Sequence, residues 1–334
     1  MKAQPTEVHR VAAALRRWSL RFDTELERRL GPESRSDAPA RLMEAMRYTI
    51  LAPGKRLRPY LTCACCGLVG GEEADALSAA VAIECVHAFS LIHDDLPSMD
   101  DDVVRRGQPS NHVRFGEGLA ILAGDALLVL AFETLASDSR RPELAGRTVG
   151  ELARACGWMG MIGGQADDID AAGGQADDVD AAGGQGDDVD AAPRDQDKAR
   201  LQSVRPPNEL GGSIRARKTG RLMEAACRLG AICGSGDEPA IESLGRYGLE
   251  LGIAFQMADD LLDVSASAAG PGVMHDLAVA SREAKPASAA GVRSVAVEHS
   301  AGESMKRAVS ALAAWGSEAD DLRAIARFVV ERRN

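Results

Sequence analysis

Two clusters of aspartates are the residues of this sequence best suited to chemistry. Each follows an apolar stretch, at residues 81–92 and 252–257. The first contains Asp94, Asp95, Asp100, Asp101 and Asp102, and the second contains Asp259, Asp260 and Asp263. Acidic runs usually form solvated surface, but carboxylates delivered by apolar segments repel one another and lose hydration. The pattern therefore predicts that the two clusters share a divalent cation site.

The spacing within each cluster indicates how the carboxylates could converge. Asp259 and Asp263 are four residues apart, so both project from one helix face. Pro97 should disturb the preceding helix, and we expect this to let Asp100 return toward Asp94 despite their spacing of six. Oxygen ligands without His or Cys partners suit Mg²⁺, which usually keeps waters and bridges to substrate phosphates.

Five basic residues are suited to direct contact with phosphate. They are Lys55, Arg58, Arg105, Arg106 and Lys218. Together with the acids they predict a site for two diphosphates, one held through metal ions and one held by side chains. His87 lies two turns before the first acidic cluster on an apolar segment. A satisfied core histidine and a functional histidine are both consistent with that position.

Composition and periodicity predict an all-α fold. Hydrophobic residues make up 45% of the 334 residues and aromatic residues only 4%, so the core must consist mostly of Ala, Leu, Val and Ile. Long segments rich in Ala, Leu, Glu and Arg take the place of the alternation that is typical of strands. Helices are predicted over residues 8–30, 40–51, 57–68, 74–96, 118–135, 142–162, 221–232, 240–264, 304–315 and 318–332.

A ten-residue repeat interrupts the helical pattern. Its three copies span residues 163–172, 173–182 and 183–192, and each is rich in Gly and Asp. We predict a loop insertion at about 163–207 within a single domain that covers residues 1–334. A solvated acidic loop is favoured over a calcium site, because calcium-binding β-roll repeats are nonapeptides. A second loop is predicted at 265–272.

Charge and composition disfavour several classes of protein. A net charge of −11 disfavours a nucleic-acid partner, which needs a basic face. No apolar run of membrane-spanning length is evident and the N-terminus lacks the pattern of a signal peptide, so we expect a cytoplasmic protein without a membrane span. The seven cysteines are expected to be small buried residues in a reducing compartment rather than metal ligands.

Five motifs lie in a fixed order along the chain and cover residues 41–264 apart from the repeat. They are GKRLRP at 54–59, the acidic stretch 94–107, GGQ at 163–165, KTG at 218–220 and FQMADDLLD at 255–263. In this order they resemble the trans-isoprenyl diphosphate synthases, also called polyprenyl synthetases. The sequence is most similar to the bacterial short-chain farnesyl and geranylgeranyl diphosphate synthases of that family.

The resemblance implies both an architecture and a reaction. It implies a bundle of mostly antiparallel helices around a central cavity, usually as a homodimer. The implied reaction is the Mg²⁺-dependent head-to-tail (1'-4) condensation of isopentenyl diphosphate with an allylic diphosphate, namely dimethylallyl, geranyl or farnesyl diphosphate. About three Mg²⁺ ions per site are expected by resemblance, and they would neutralise the leaving diphosphate.

The resemblance also implies roles for individual residues. Asp94, Asp100 and Asp259 would bind Mg²⁺, supported by Asp95, Asp260 and Asp263. Arg105 and Lys218 would hold the allylic diphosphate, assisted by Thr219 and Gln256, whereas isopentenyl diphosphate would be held by Lys55, Arg58, His87 and Arg106. The residues expected to act most directly in catalysis are Asp94, Asp95, Asp100, Arg105, Lys218 and Asp259.

Two regions depart from the pattern of the family. The ten-residue repeat expands the connection after Gln165, and the loop after the second aspartate motif has changed. Members usually carry two lysines in the loop after the second aspartate motif. Lys285 matches the second of these lysines, and no residue clearly matches the first. Both departures are expected to lower activity without changing the reaction.

Three functions are consistent with the motifs. An elongating prenyltransferase is favoured over a non-catalytic partner subunit, because such a subunit should lose aspartates and this chain keeps both clusters. A class I terpene cyclase is disfavoured, because it needs no second diphosphate site. Phe89 and Ser90, five and four residues before Asp94, are the candidates to set product length. An aromatic residue there predicts farnesyl diphosphate (C15), with geranylgeranyl diphosphate (C20) as the alternative. An ordinary core position is equally consistent with Phe89.

Overall fold

Helices make up almost all of the regular structure in the computed structural model, which describes residues 7–31, 38–180, 219–268 and 290–331. The all-α prediction is confirmed for these residues. A short antiparallel hairpin joins β1 (Val104–Arg105) to β2 (Gln108–Pro109), and 3-10 turns span Pro142–Leu144 and Ser317–Ala319. In chain order the helices are α1 (Glu7–Leu30), α2 (Ala40–Ile50), α3 (Leu57–Leu68), α4 (Glu73–Asp94), α5 (Asn111–Phe115), α6 (Glu117–Ser137), α7 (Ala145–Cys156), α8 (Met161–Asp180), α9 (Arg221–Cys233), α10 (Glu238–Ala268), α11 (Ala290–Ala311) and α12 (Asp320–Glu331).

Helix α4 is buried on most sides and carries the first aspartate cluster at its end. Small Ala residues and branched Val and Ile residues cover much of its surface, and α3 and α6 pack against it. At its start the backbone N–H of Glu72 donates to Asp75 Oδ2 at 3.1 Å, as in a capping box. The helix ends at Asp94 rather than at the predicted Leu96, because the residue before Pro97 is disfavoured in a helical conformation.

A second group of helices packs around α9 and α10. Helix α9 contacts both α3 and α10, and α11 packs along α10. Tyr247 of α10 is fully buried, and its hydroxyl donates to the carbonyl oxygen of Leu322 in α12 at 2.8 Å. Through α9, this packing fixes α10, which carries the second aspartate cluster, relative to α3.

The contact between α3 and α9 depends on Gly230. A Cβ atom at this position would lie 2.1 Å from the carbonyl oxygen of Thr62, a backbone atom that cannot move aside. We therefore expect Gly230→Ala to lower the free energy of unfolding by about 2 kcal/mol or more, measured by urea denaturation. Gly150→Ala in α7 is the matched control, because a Cβ atom there meets nothing within 4 Å and alanine favours a helix by about 0.5–1 kcal/mol. Equal stabilities of the two variants would contradict close packing at Gly230.

All seven cysteines are buried and free, which confirms the expectation that they are core residues. Burial raises the pKa of Cys66 and Cys233 to about 12 and that of Cys156 to about 11. A thiol with so high a pKa carries almost no thiolate at neutral pH, so these side chains act as small hydrophobic groups.

The predicted helix over 142–162 is wrong in its middle. Helix α7 ends at Cys156, and the backbone turns through Gly157 and Gly160 before α8 begins at Met161. Glycine has a low helix propensity, so two glycines three residues apart provide a natural break.

Two other predicted boundaries are also wrong. The loop predicted over 265–272 begins later than expected, because α10 continues to Ala268. Helix α11 begins earlier than expected, at Ala290 rather than at Ser304. Small Ala and Ser residues made these segments look like loops. Alanine is nevertheless the best helix former, so it extends a helix that has already started.

The predicted loop character of the repeat is wrong for its first part. Helix α8 runs from Met161 to Asp180, so the first copy and most of the second copy are helical. No proline interrupts this stretch, and a helix that starts before the repeat can propagate through its Ala and Gln residues. The rest of the predicted insertion, from residue 181 to 207, lies outside the described residues.

Two described helices, α4 and α6, are long and apolar enough to cross a membrane by length and composition alone. In α4, 72% of the apolar stretch is buried inside the protein, and in α6 the buried share is 44%. Two such helices are weak indicators of a membrane protein, since the core helix of a soluble protein passes the same test. The expectation of a protein without a membrane span therefore stays a prediction.

Candidate active site

The turn that follows α4 brings together two aspartates of the first cluster. Asp94 is the last residue of the helix, and the backbone N–H of Asp100 donates to the carbonyl oxygen of Asp94 at 2.9 Å. The backbone N–H of Asp101 donates to the carbonyl oxygen of Leu96 at 3.1 Å, and Asp101 adopts a left-handed conformation with φ of 51°. The predicted return of Asp100 toward Asp94 is confirmed. Asp94 is half-buried and Asp100 is exposed, so the turn presents carboxylates at the protein surface.

Asp95 directly follows Asp94 at the end of α4, and its carboxylate holds Arg105 in place. Asp95 is 2% exposed, and Arg105 of β1 donates to its Oδ1 from Nε at 2.8 Å and also from Nη2. The same Nη2 donates to Asp102 Oδ2 at 2.9 Å. Desolvation raises the pKa of the Asp95 carboxyl, against the effect of the hydrogen bonds from Arg105. These contacts fix the guanidinium beside the acidic turn, so Asp95 positions Arg105, and its expected role at Mg²⁺ stays a prediction.

Arg56 is a buried residue to which the motifs assigned no role. Its backbone is left-handed, with φ of 47°, and α3 begins directly after it. Its guanidinium donates to acceptors in three parts of the chain, namely Asp23 Oδ1 of α1 at 2.8 Å, Glu84 Oε1 of α4 at 2.5 Å and the carbonyl oxygen of Ala52 at 2.8 Å. Arg56 therefore ties the start of α3 to α1 and α4. The available sequence signal was Glu84, a charged residue in the middle of an apolar helix.

Basic residues from three elements gather at the start of α3. Lys55 is exposed and Arg58 is half-buried. A Cβ atom on Gly54 would lie 3.2 Å from Arg106 Nη1 and 3.5 Å from Arg56 Nη1, so a glycine here lets the arginine of the hairpin approach α3 closely. The name basic group is used below for Lys55, Arg58, Arg106 and His87.

His87 of α4 belongs to this basic group through its electrostatic environment. Desolvation and the positive charges of Arg58 and Arg106 lower the pKa of His87 well below its ordinary value, so the ring is neutral at pH 7. Desolvation also lowers the pKa of Arg58, against the charges of Glu84 and Asp259. His87 therefore lies near several arginines, and its role in binding a diphosphate stays a prediction.

The second aspartate cluster reaches the same basic group from α10. Thr219, just before α9, donates from Oγ1 to Gln256 Oε1 of α10 at 3.0 Å, so two residues expected at the allylic diphosphate contact each other. Asp259 lies one turn further along α10, is half-buried, and its charge acts on Arg58. Both aspartate clusters thus act on the basic group, since the charge of Asp95 in the first cluster acts on Arg106.

The candidate site offers oxygen donors to a metal ion. Within the described residues, no group of three His, Cys, Asp or Glu side chains converges on a point that could hold an ion. Asp94, Asp100 and Asp259 instead come from a turn and a separate helix. This arrangement fits Mg²⁺, which takes few carboxylates and completes its shell with water and substrate phosphate. Four other expected site residues fall outside the part of the chain whose side chains are described, namely Lys218, Asp260, Asp263 and Lys285.

The two residues expected to set product length have different surroundings. Ser90 is four residues before Asp94, on the same side of α4, and is half-buried, with its Oγ donating to the His87 carbonyl oxygen at 2.9 Å. Phe89 is 5% exposed and packs edge-on against His93, with ring centroids 5.5 Å apart. His93 in turn contacts α6, because its Nε2 lies 3.1 Å from the carbonyl oxygen of Ile121.

Comparison with known proteins identifies the family. The family model for polyprenyl synthetase matches residues 39–281 of this chain. The chain belongs to the polyprenyl synthetase family. A related protein of Arabidopsis thaliana, geranylgeranyl pyrophosphate synthase 12, chloroplastic, is 45% identical over 232 residues, which are 69% of this chain and 57% of the plant protein. The plant protein named heterodimeric geranylgeranyl pyrophosphate synthase large subunit 1, chloroplastic, is 45% identical over 233 residues, 69% of this chain and 56% of its own length.

The chain therefore spans little more than half the length of these plant polyprenyl synthetases. Solved structures extend the likeness over nearly the whole chain. An FPP/GFPP synthase from Zymomonas mobilis is 32% identical with a TM-score of 0.72, over 97% of this chain and 99% of that protein. A geranylgeranyl pyrophosphate synthetase from the archaeon Geoglobus acetivorans is 27% identical with a TM-score of 0.69, over 93% of this chain and 97% of that protein. These similarities confirm the predicted all-α isoprenoid synthase fold.

Proposed function

We propose that this protein is a prenyltransferase that joins isopentenyl diphosphate head-to-tail (1'-4) to an allylic diphosphate with the help of Mg²⁺. The observation that carries the proposal is that both aspartate clusters act on the basic group, since the charge of Asp95 acts on Arg106 and the charge of Asp259 acts on Arg58. One diphosphate would contact the basic group, and the other would be held through Mg²⁺ by Asp94, Asp100 and Asp259. Membership of the polyprenyl synthetase family and similarity to proteins named geranylgeranyl synthases support the assignment.

The proposed reaction requires that negative charge be stabilised on a leaving group. Mg²⁺, when bound, supplies part of this stabilisation as the allylic C–O bond breaks and charge develops on the departing diphosphate. Arg105 is held beside the acidic turn by Asp95 and Asp102, so its guanidinium can bind that diphosphate with little reorganisation. The new bond then forms to C4 of isopentenyl diphosphate, and a proton leaves its C2. The apolar helix walls must exclude water while the allylic carbon is cationic.

One incubation separates the candidate functions. The purified protein is mixed with Mg²⁺, radiolabelled isopentenyl diphosphate and dimethylallyl, geranyl or farnesyl diphosphate, and the products are separated by chromatography. Longer linear diphosphates support the proposal. No incorporation would support a non-catalytic partner subunit, and hydrocarbons made from the allylic substrate alone would support a terpene cyclase.

Two observations bear on the length of the product, and they favour different answers. The aromatic side chain of Phe89 favours a C15 product, because its volume could close the cavity below Asp94. The relatives named geranylgeranyl synthases favour a C20 product. The burial of Phe89 in the core against His93 is compatible with either length. Because similarity to these relatives extends over 69% of this chain, whereas Phe89 is a single side chain, we propose geranylgeranyl diphosphate as the main product and farnesyl diphosphate as the alternative.

Replacement of Phe89 by alanine tests whether its side chain sets the product length. If it does, the variant should convert farnesyl diphosphate to longer products than the wild type makes, because the volume of the phenyl ring is removed from the floor of the cavity. Chromatography of the radiolabelled products measures the shift. Ser90→Ala is the control, since it hardly changes side-chain volume and should leave the product unchanged. An unaltered distribution in the Phe89 variant would place the floor on a neighbouring helix.

The homodimer expected from the family is also a proposal, and α6 offers a surface for it. Leu122 and Val129 lie on one face of α6, seven residues apart, and are 56% and 65% exposed. Apolar residues grouped in this way often mark a protein interface. We expect Val129→Glu to shift the protein from dimer to monomer in analytical ultracentrifugation, whereas Val113→Glu, at an exposed valine of α5, should not. A dimer unaffected by the Val129 variant would exclude this face.

A cytoplasmic location is likewise proposed from the sequence. Seven free, buried cysteines are typical of proteins from reducing compartments, where disulfides do not form. Fractionation of cells that express a tagged chain tests the location.

A further inference from the structure

Glu84 is a buried carboxylate that has no part in the proposed contacts with substrate. It lies in the middle of α4 and is 4% exposed, and its Oε1 accepts a hydrogen bond from Arg56 Nη1 at 2.5 Å. Arg56 is itself only 3% exposed. An ion pair in the interior is costly to desolvate and often stabilises a fold less than apolar packing would. Its presence next to a substrate site therefore calls for another explanation.

The surroundings of Glu84 are rich in positive charge. His87 follows it by three residues and so lies on the same face of α4. Arg56 Nη1 and Arg106 Nη1 lie within 3.5 and 3.2 Å of a single point above Gly54, so the two guanidinium groups are close neighbours. The charge of Glu84 also acts on both Arg58 and Arg106. Glu84 is thus a buried counter-charge for arginines that would otherwise repel one another.

We propose that Glu84 is a positioning residue for isopentenyl diphosphate, because its ion pair with Arg56 and its negative charge keep Arg58 and Arg106 of the basic group gathered where this diphosphate binds. The inference rests on the proposed function. Glu84 does not touch the substrate; it fixes the guanidinium groups before the substrate arrives, so binding needs little reorganisation. Loss of this preorganisation should weaken binding at the basic group and leave the allylic diphosphate almost unaffected.

Asp23 provides a matched control for the ion pair itself. Its Oδ1 accepts a hydrogen bond from Arg56 Nε at 2.8 Å, and its side chain is 30% exposed. Asp23→Asn removes one carboxylate partner of Arg56 while the charge of Glu84 remains in place. Glu84→Gln keeps the shape of the side chain and a hydrogen-bond acceptor, and it removes the charge.

Steady-state kinetics of the full chain test the proposal. For Glu84→Gln we expect the KM for isopentenyl diphosphate to rise about tenfold, with the KM for the allylic diphosphate and kcat changed by less than about threefold. Asp23→Asn should change neither KM, although both variants should lower the thermal midpoint. Glu84→Asp keeps the charge on a shorter side chain and should give an intermediate KM for isopentenyl diphosphate. If the glutamine variant does not fold, the aspartate variant carries the same test.

Binding of inorganic diphosphate without Mg²⁺, measured by isothermal titration calorimetry, separates this inference from the proposed function. Wild-type protein that does not elongate allylic substrates would overturn the proposed function. The role of Glu84 could still be tested in such a protein by calorimetry. Inorganic diphosphate should bind about tenfold more weakly to the Glu84→Gln variant than to the Asp23→Asn variant. Unchanged or tighter binding in the glutamine variant, or an equal rise in both KM values, would overturn the role of Glu84.

Discussion

Replacement of Asp94 by alanine is expected to lower kcat about a thousandfold and to leave the protein folded. The turn that holds Asp94 is closed by a backbone hydrogen bond, from the N–H of Asp100 to the Asp94 carbonyl oxygen, so it does not need the side chain. Loss of the carboxylate removes a proposed donor to Mg²⁺ and therefore stabilisation of the leaving diphosphate. The measurement is incorporation of radiolabelled isopentenyl diphosphate at saturating substrate and Mg²⁺, with circular dichroism as the check on folding.

Asp320→Ala is the control for a general effect of removing an aspartate. Asp320 lies on α12, its side chain is 67% exposed, and it pairs with Arg323 at 2.8 Å. Exposed pairs of this kind contribute little to stability, so the variant should keep kcat within about twofold of the wild type. Near-normal turnover of the Asp94 variant would mean that this carboxylate is not part of the metal site.

Asp259→Ala should also abolish most of the turnover, by about a hundredfold to a thousandfold. The residue is on a different helix from Asp94, and its charge acts on Arg58 of the basic group. The double variant with Asp94→Ala decides whether the two clusters act together. If both carboxylates serve one diphosphate, the double variant should be at most about tenfold slower than the slower single variant. If the loss of turnover in the double variant equals the product of the losses in the two single variants, the carboxylates act at two independent sites.

The parts of the site that lie close together in sequence could be predicted. Pro97 and the six-residue spacing were enough to place Asp100 next to Asp94, because a proline reliably ends a helix. The bounds of α3, Leu57–Leu68, match the prediction, since Pro53 and Gly54 precede the helix and Gly70 and Gly71 follow it. Local rules of turn and helix chemistry decide both features.

Contacts between distant residues could not be predicted in the same way. Arg56 meets Asp23 and Glu84, which are 33 and 28 residues away, and nothing in the local pattern marks them as partners. The pairing of Arg105 with Asp95 depends on how the β1–β2 hairpin folds back over the end of α4. The helical start of the repeat was missed for another reason. Its Gly and Asp content favours a loop locally, but a preceding helix lowers the cost of continuing the same conformation.

The burial of all seven cysteine thiols has a practical consequence for labelling the protein. Because each native cysteine is buried and free, a maleimide or nitroxide reagent should leave the folded chain unmodified at all seven positions. A cysteine introduced at an exposed position such as Leu20 of α1, which is 63% exposed, would then react selectively. Spin or fluorescent probes can therefore be attached one at a time without first replacing the natural cysteines. Distances between labelled helices in solution can be measured on a chain that differs from the native sequence at the labelled positions alone.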